Sequence, residues 1–406
     1  MSQIAMLKRT WLGLALFALA NSSLAQDLAV RAAELHTVSA GVIPDGVVII
    51  RSGKIAAIGR ASEVTIPAGF QVLSAAVVTP GLVDAHTVVG IAGYLNQDGD
   101  QDQLERSAPL QPELRALDAY NARERLIDWV RSFGVTTLHT GHGPGAVISG
   151  QTMVVKTTGD TVESASIMPQ AMIAATLGEG ALWSDSKPGT RGKAVAMLRD
   201  LLIEGQGYIK KQEAEGDAPD TNLRLEAVAQ LLRRDLALLV TANRHQDIIS
   251  AIRVAKEFNL RLVLDSAADA HMVLDEIKRA GVPVILHATM KRAQGEAENL
   301  SLETASRLAE AGIPFALQSG FESYVPKTRV VLFEAALAAA HGLGRERALH
   351  SITLGPAEIL GLGGRIGSLD VGKDGDLALY DGDPFEYTTH CVGTVIEGRV
   401  VSEKIR

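Results

Sequence analysis

Between residues 78 and 365, apolar runs of strand length alternate with amphipathic helical stretches, and this alternation leaves the chain few architectures. Eight strand-like runs can be counted. The first lies within Val78 to Gly90; Gly134 to His139, Met153 to Lys156, Ala171 to Ala175, Leu236 to Thr241, Arg261 to Asp265, Pro283 to His287 and Pro314 to Ser319 follow. Among them, Leu114 to Arg131, Lys193 to Lys211, Arg224 to Arg234, Asp247 to Glu257, Ala268 to Ala280, Leu302 to Ala311 and Val330 to Ala340 carry apolar residues at three- and four-residue spacing. Gly134, Gly281 and Gly312 stand where helices stop, as a left-handed terminal residue should. Repeated β-α units predict a parallel sheet buried on both faces. Eight of them over about 285 residues suit a closed (β/α)8 TIM barrel, whose usual size is ~250.

The chain ends read differently. Residues 26–77 hold short β-rich runs, among them Gly46 to Ile50 and Lys54 to Gly59, with the small pair Ser52-Gly53 between them as a hairpin turn. Similar runs return at Gly375 to Tyr380 and Gly393 to Val401, so the ends form two halves of one small β domain.

Lys8 and Arg9, an apolar run from Trp11 to Ala20 and the exit Ser23-Leu24-Ala25 predict a secretory signal over residues 1–25, cleaved after Ala25. The run is about half the ~20 residues a membrane span needs, so the mature form carries no span and the location is periplasmic. Cleavage removes two positive charges and moves the net charge from −8 to −10. With no basic stripe, nucleic acid is excluded as a partner. Cys391 stands alone and forms no internal disulfide. Asp98, Asp100 and Asp102 have the spacing of a calcium loop but lack its glycine and its closing glutamate, which predicts a solvated loop.

The run Pro80-Gly81-Leu82-Val83-Asp84-Ala85-His86-Thr87-Val88 resembles the opening barrel strand of the metal-dependent amidohydrolase superfamily, where a His-x-His pair supplies the first two metal ligands. Gly150-Gln151 through Lys156 and Asn243-Arg244-x-x-Asp247-Ile248 resemble the exported, imidazolonepropionase-like branch. Leu349 to Gly361 and Arg365 to Leu377 resemble the family's last helix and its return to the small domain. The resemblance implies a barrel over 78–365 and a composite β-sandwich from 26–77 and 366–406. It also implies one or two ions that lower the pKa of bound water to ~7.

The ligand set is degraded. Val88 replaces the second histidine, Thr241 the strand-five histidine and Asp265-Ser266 the strand-six histidine, while Gln318-Ser319-Gly320 offers no strand-eight aspartate. Valine and glycine side chains cannot bind a metal. What remains has alternatives. His86 is a ligand or a packed remnant. His139 and His287 close their strands and join His86 in a relocated three-histidine metal site, or cap backbone carbonyls. Lys156 is a carbamylated ligand, an ammonium in place of an ion, or a lysine reaching to solvent. Asp265 binds an ion, acts as general base, or pairs with Lys156 across the barrel mouth.

The expectation is therefore an exported hydrolase of non-peptide C–N bonds in a small amide, imide or N-acyl compound, with Lys156 and Asp265 as catalytic candidates. It uses at most one zinc or other divalent ion on His86, His139 and His287. The alternative is a catalytically silent barrel that binds a small ligand, forms a homo-oligomer or pairs with an intact amidohydrolase.

Overall fold

The structure, a computed structural model, describes residues 27–95, 97–183, 188–214, 220–321 and 330–406. The signal read over 1–25 lies outside the described residues. Strands β1 (Leu28–His36), β2 (Val42–Arg51), β3 (Lys54–Arg60) and β4 (Gln71–Pro80) join three C-terminal strands, Leu377–Tyr380, Cys391–Ile396 and Arg399–Ser402, in one seven-stranded sheet. Alternation sorts its side chains. Leu28 and Val30 face a core with Val48, Ile50, Val78, Leu377 and Val395, while Ala29, Val47 and Ile49 face the opposite side, beneath Val64, Ile66 and Phe70. The two halves predicted from the ends thus meet, as a single hydrogen-bonded sheet with a core on each face rather than two separate sheets of a sandwich. Ser52 and Gly53 both take positive φ, 49° and 80°, the geometry of a type I′ hairpin turn.

Among the described residues, ten further strands lie between these halves. They are β5 (Leu82–Thr87), β6 (Val135–Thr140), β7 (Ile148–Gln151), β8 (Met153–Lys156), β9 (Ser166–Met168), β10 (Met172–Thr176), β11 (Ala237–Ala242), β12 (Leu262–Ser266), β13 (Val284–Leu286) and β14 (Phe315–Leu317). From β10 to β14 each strand pairs in parallel with the next, and helices such as His245–Glu257 and Thr304–Ala311 cross between them. Leu238 and Val240 pack in the large core with those helices, and Ala237 and Leu239 pack in an inner core with Val263, Ile285 and Ala316. Gly281 and Gly312 end their helices left-handed at φ 65° and 69°, as read from the sequence. The single helix expected over Leu114 to Arg131 is instead two, Ala116–Ala119 and Arg125–Arg131. Between them Asn121 donates its backbone N–H to Gly90 and caps Arg123 with its side chain.

Two features depart from an all-parallel closed ring. The strands form a six-stranded sheet, β14-β13-β12-β11-β10-β7, and a four-stranded one, β5-β6-β8-β9. The sheets approach each other at an isolated bridge between Thr87 and Gly320 and through backbone bonds of Thr152 to Ala171 and Met172, without a continuous ladder. In addition, the ladders are not all parallel: β7 runs antiparallel to β10, β9 to β8, and β8 to β6, with Met153 opposite Thr140 and Lys156 opposite Thr137. The run that ends in Lys156 therefore points away from the rim where β6 and β12 end. No helix among the described residues is long and apolar enough to cross a membrane.

Candidate functional site

The inner-facing parity fixes the site. One step beyond the apolar layer of Leu239, Val263, Ile285 and Ala316, the same alternation presents Thr241, Asp265, His287 and Gln318 at the carboxyl ends of the strands. Asp265 is the hub. His86 Nδ1 donates to Asp265 Oδ1 at 2.9 Å, Gln318 Nε2 to the same oxygen at 2.8 Å, and Thr241 Oγ1 to Oδ2 at 2.6 Å. Gln318 is steadied by a second bond to the Ile285 carbonyl at 3.1 Å. Burial alone pushes the Asp265 carboxyl up, but the His86 charge and these three donors override it and hold it below the usual carboxylate range. Burial likewise pulls His86 down, and Asp265 more than compensates, so its pKa is raised.

His139 lies beside His86, ring centroids 5.5 Å apart, but is committed elsewhere. Its Nδ1 donates to the Ala85 carbonyl at 2.6 Å and its Nε2 faces Thr152 Oγ1 at 2.7 Å. Burial, with the His86 charge, pushes its pKa down to about 3, so it stays neutral. His287 Nδ1 donates to the Ala288 carbonyl at 2.8 Å, and burial lowers its pKa to about 4. Beneath the rim, Asp84 Oδ1 accepts the Ser319 N–H at 3.0 Å, and Gly320 N–H donates to the His86 carbonyl at 3.3 Å, which joins β5 to the end of β14. Burial raises the Asp84 carboxyl to about 6.

Above this layer is a cavity of about 160 Å³ whose wall includes His86, Asp265, His287, Asn243, Lys291 and Glu296. Glu296 is anchored by Arg191 and by the Glu179 N–H, and Arg244 holds Glu298 at 2.6 Å, so the segment after β13 is tied across the rim. Three polar atoms of the wall residues are buried without a partner among the described residues: His86 Nε2, His287 Nε2 and Asn243 Oδ1. Each such atom costs roughly 1–3 kcal/mol, which a polar ligand would relieve.

A metal does not fit these residues. No group of three or more His, Cys, Asp or Glu side chains among the described residues could hold an ion. His139 has both nitrogens engaged, and Val88 presents an apolar group where a second ligand would stand. The expected convergence of His86, His139 and His287 on one ion is not the arrangement found. Lys156 also lies elsewhere. Buried at the end of β8, it is bound by Asp374 Oδ2 at 2.9 Å and by Asp376, and not by Asp265. Asp374 in turn holds Lys54 at 2.6 Å and Arg365 at 2.9 Å. The Asp100 carboxylate accepts the N–H groups of Leu95 and Gln97, which commits it to its own loop. Thr241 and Gln318, legible in the sequence only as losses, are the residues its reading missed; their parity with Asp265 was the available signal.

Comparison with known proteins bears on this site. A family model described as "Amidohydrolase family" matches residues 327–402. The chain is 24% identical to an imidazolonepropionase of Parabacteroides distasonis, covering 93% of this chain and 94% of that protein. It is 24% identical to amidohydrolase tasK of Hapsidospora irregularis over 79% of this chain, which spans only 36% of that longer protein. A crystal structure of an amidohydrolase from Thermotoga maritima superposes with a TM-score of 0.88 at 26% identity, over 93% of this chain and 100% of that one.

Proposed function

We propose, from the premise that this chain belongs to the amidohydrolase superfamily of hydrolases, that it cleaves a non-peptide C–N bond in a small amide, imide or N-acyl compound with His86 as its acid–base group. The central strands, counting β7 and β8 together as the third and setting the short edge strand β9 aside, are read as the eight strands of a (β/α)8 barrel whose mouth is the cavity. One observation carries the proposal. An imidazole oriented by a carboxylate through Nδ1 keeps a buried, unpartnered Nε2 in the wall of a polar cavity.

In its neutral form His86 Nε2 takes a proton from water as the hydroxide adds to the carbonyl carbon. The Asn243 amide, in the wall, is a donor for the new oxyanion. Collapse of the tetrahedral species breaks the C–N bond, and the His86 proton passes to the departing nitrogen. Asp265 orients the ring and stabilises its cation without itself taking a proton. A positioned base contributes typically ~10²–10⁴-fold, so the substrates are activated imides and acyl compounds rather than ordinary amides.

The test is turnover of a panel of cyclic imides and N-acyl amino acids by chelator-treated protein. Activity should survive the chelator, rise with pH through the raised pKa of His86, and fall at least about 100-fold in His86→Gln. Turnover that appears only with added divalent ion would overturn the reading. A second reading, a barrel that binds without turnover, is favoured by the three donors that already satisfy Asp265; ligand binding with no product on the whole panel would select it. The secretory pattern of residues 1–25 supports periplasmic export, testable by whether the N-terminus of the mature chain is Gln26.

A further inference from the structure

The reaction proposed above uses His86 and leaves His287 without a task. His287 is almost wholly buried, lies in the wall of the same cavity, and closes the strand next to that of Asp265. Its Nδ1 faces the Ala288 carbonyl, which can only accept, so Nδ1 carries the ring hydrogen. Burial keeps the ring neutral across the physiological range. A neutral imidazole protonated at Nδ1 has a bare lone pair at Nε2, and that atom is buried with no partner among the described residues. The sign of this group is therefore set by the fold: it accepts and cannot donate. The other two unpartnered atoms of the wall are less constrained, because His86 changes its proton and an Asn amide can be turned over.

We infer that His287 is a specificity-determining acceptor, and that the ligand of this cavity carries an unsubstituted amide or imide N–H which donates to His287 Nε2. The inference rests on the reading of the cavity as the substrate site. A cavity of about 160 Å³ is close to the ~150 Å³ that holds a benzene ring, so the ligand portion beside His287 is a single small ring or a short acyl amide. N-alkylation removes the donor and adds a methyl group against a buried lone pair, so tertiary amides are rejected. A site built to bond an N–H discriminates strongly against an analogue without it, because its own polar group is then left unpaired.

Ligand-observed NMR titration of the purified full-length protein with succinimide and with N-methylsuccinimide tests this. Succinimide should bind at least tenfold more tightly, a difference of about 1.4 kcal/mol. The preference should vanish in His287→Leu and return in part in His287→Gln, whose side-chain oxygen also accepts. Equal or tighter binding of the methylated probe, no binding of either probe, or an unchanged preference in a folded His287→Leu would each overturn the inference. Selective binding without turnover would instead sink the hydrolase reading and leave His287's role intact; turnover of N-alkylated substrates would do the reverse.

Discussion

Asp265 takes hydrogen bonds from His86, Gln318 and Thr241, and the last two occupy strand ends where the family's pattern calls for an aspartate and a histidine. These two residues form a connected set with His86, since Thr241 and Gln318 each supply a donor to the one carboxylate. The pair of His86 and Asp265 has a defined pH window. The folded pKa of His86 is raised, so its contribution is fully present below ~6.5 and is lost as pH rises through the folded value. That of Asp265 is lowered, so its contribution is present above ~3.9 and is lost as pH falls through the folded value. Asp84 acts in the opposite sense. Its carboxyl is raised to about 6, so ionisation of the buried group weakens the fold as pH rises from about 4 to about 6. Asp84→Asn keeps an acceptor for the Ser319 N–H and removes the charge. Chemical denaturation should find it more stable than wild type at pH 8, by up to about 3 kcal/mol, with the gain fading toward pH 4; a gain independent of pH would refute the assignment.

Among the elements, the reversed β8 decides most. Because it runs antiparallel to β6, its last residue arrives at the end of the strands remote from the cavity, where Asp374 and Asp376 enter from the C-terminal segment. Burial pulls the Lys156 ammonium down, and the two carboxylates outweigh it and raise its pKa. Lys156 thereby fastens the central strands to the seven-stranded sheet. Removing one partner of a buried ion pair costs about 3–5 kcal/mol, so Lys156→Ala should lower the unfolding free energy by that order. Succinimide affinity in the folded fraction should be unchanged, since neither Lys156 nor its partners Asp374 and Asp376 line the cavity. A loss of affinity without loss of stability would return Lys156 to the functional site.

For the molecule as a whole, both ends of the chain must be present before the central strands are anchored. Asp374 and Asp376 lie at the start of the return, and the three strands after them complete the sheet begun by β1 to β4. Deleting residues 374–406 leaves the buried Lys156 without its carboxylates and exposes the edge of β4. The truncated chain should therefore fail to show a cooperative thermal transition. Metal removal gives a contrasting expectation. With no group of three ligands among the described residues to tie an ion to folding, the thermal midpoint of the full chain should be the same with and without chelator, whereas a resident structural or catalytic ion would shift it.

The sequence by itself determined the β-α alternation, the helix stops at Gly281 and Gly312, the Ser52-Gly53 hairpin and the union of the two ends, because each depends on local periodicity or on backbone φ. It also marked His86, Asp265 and His287 as strand-end residues, since a strand's parity can be counted along the chain. Direction and partnership could not be counted in that way. Whether β8 runs up or down is settled by how it pairs with β6, and Lys156 reads the same in either case. The bonds to Asp265 join residues 24, 53 and 179 positions apart, and only tertiary packing brings such groups within 3 Å. The tertiary structure thus decided that the Asp265 carboxylate, with three donors, lies at the centre of the site.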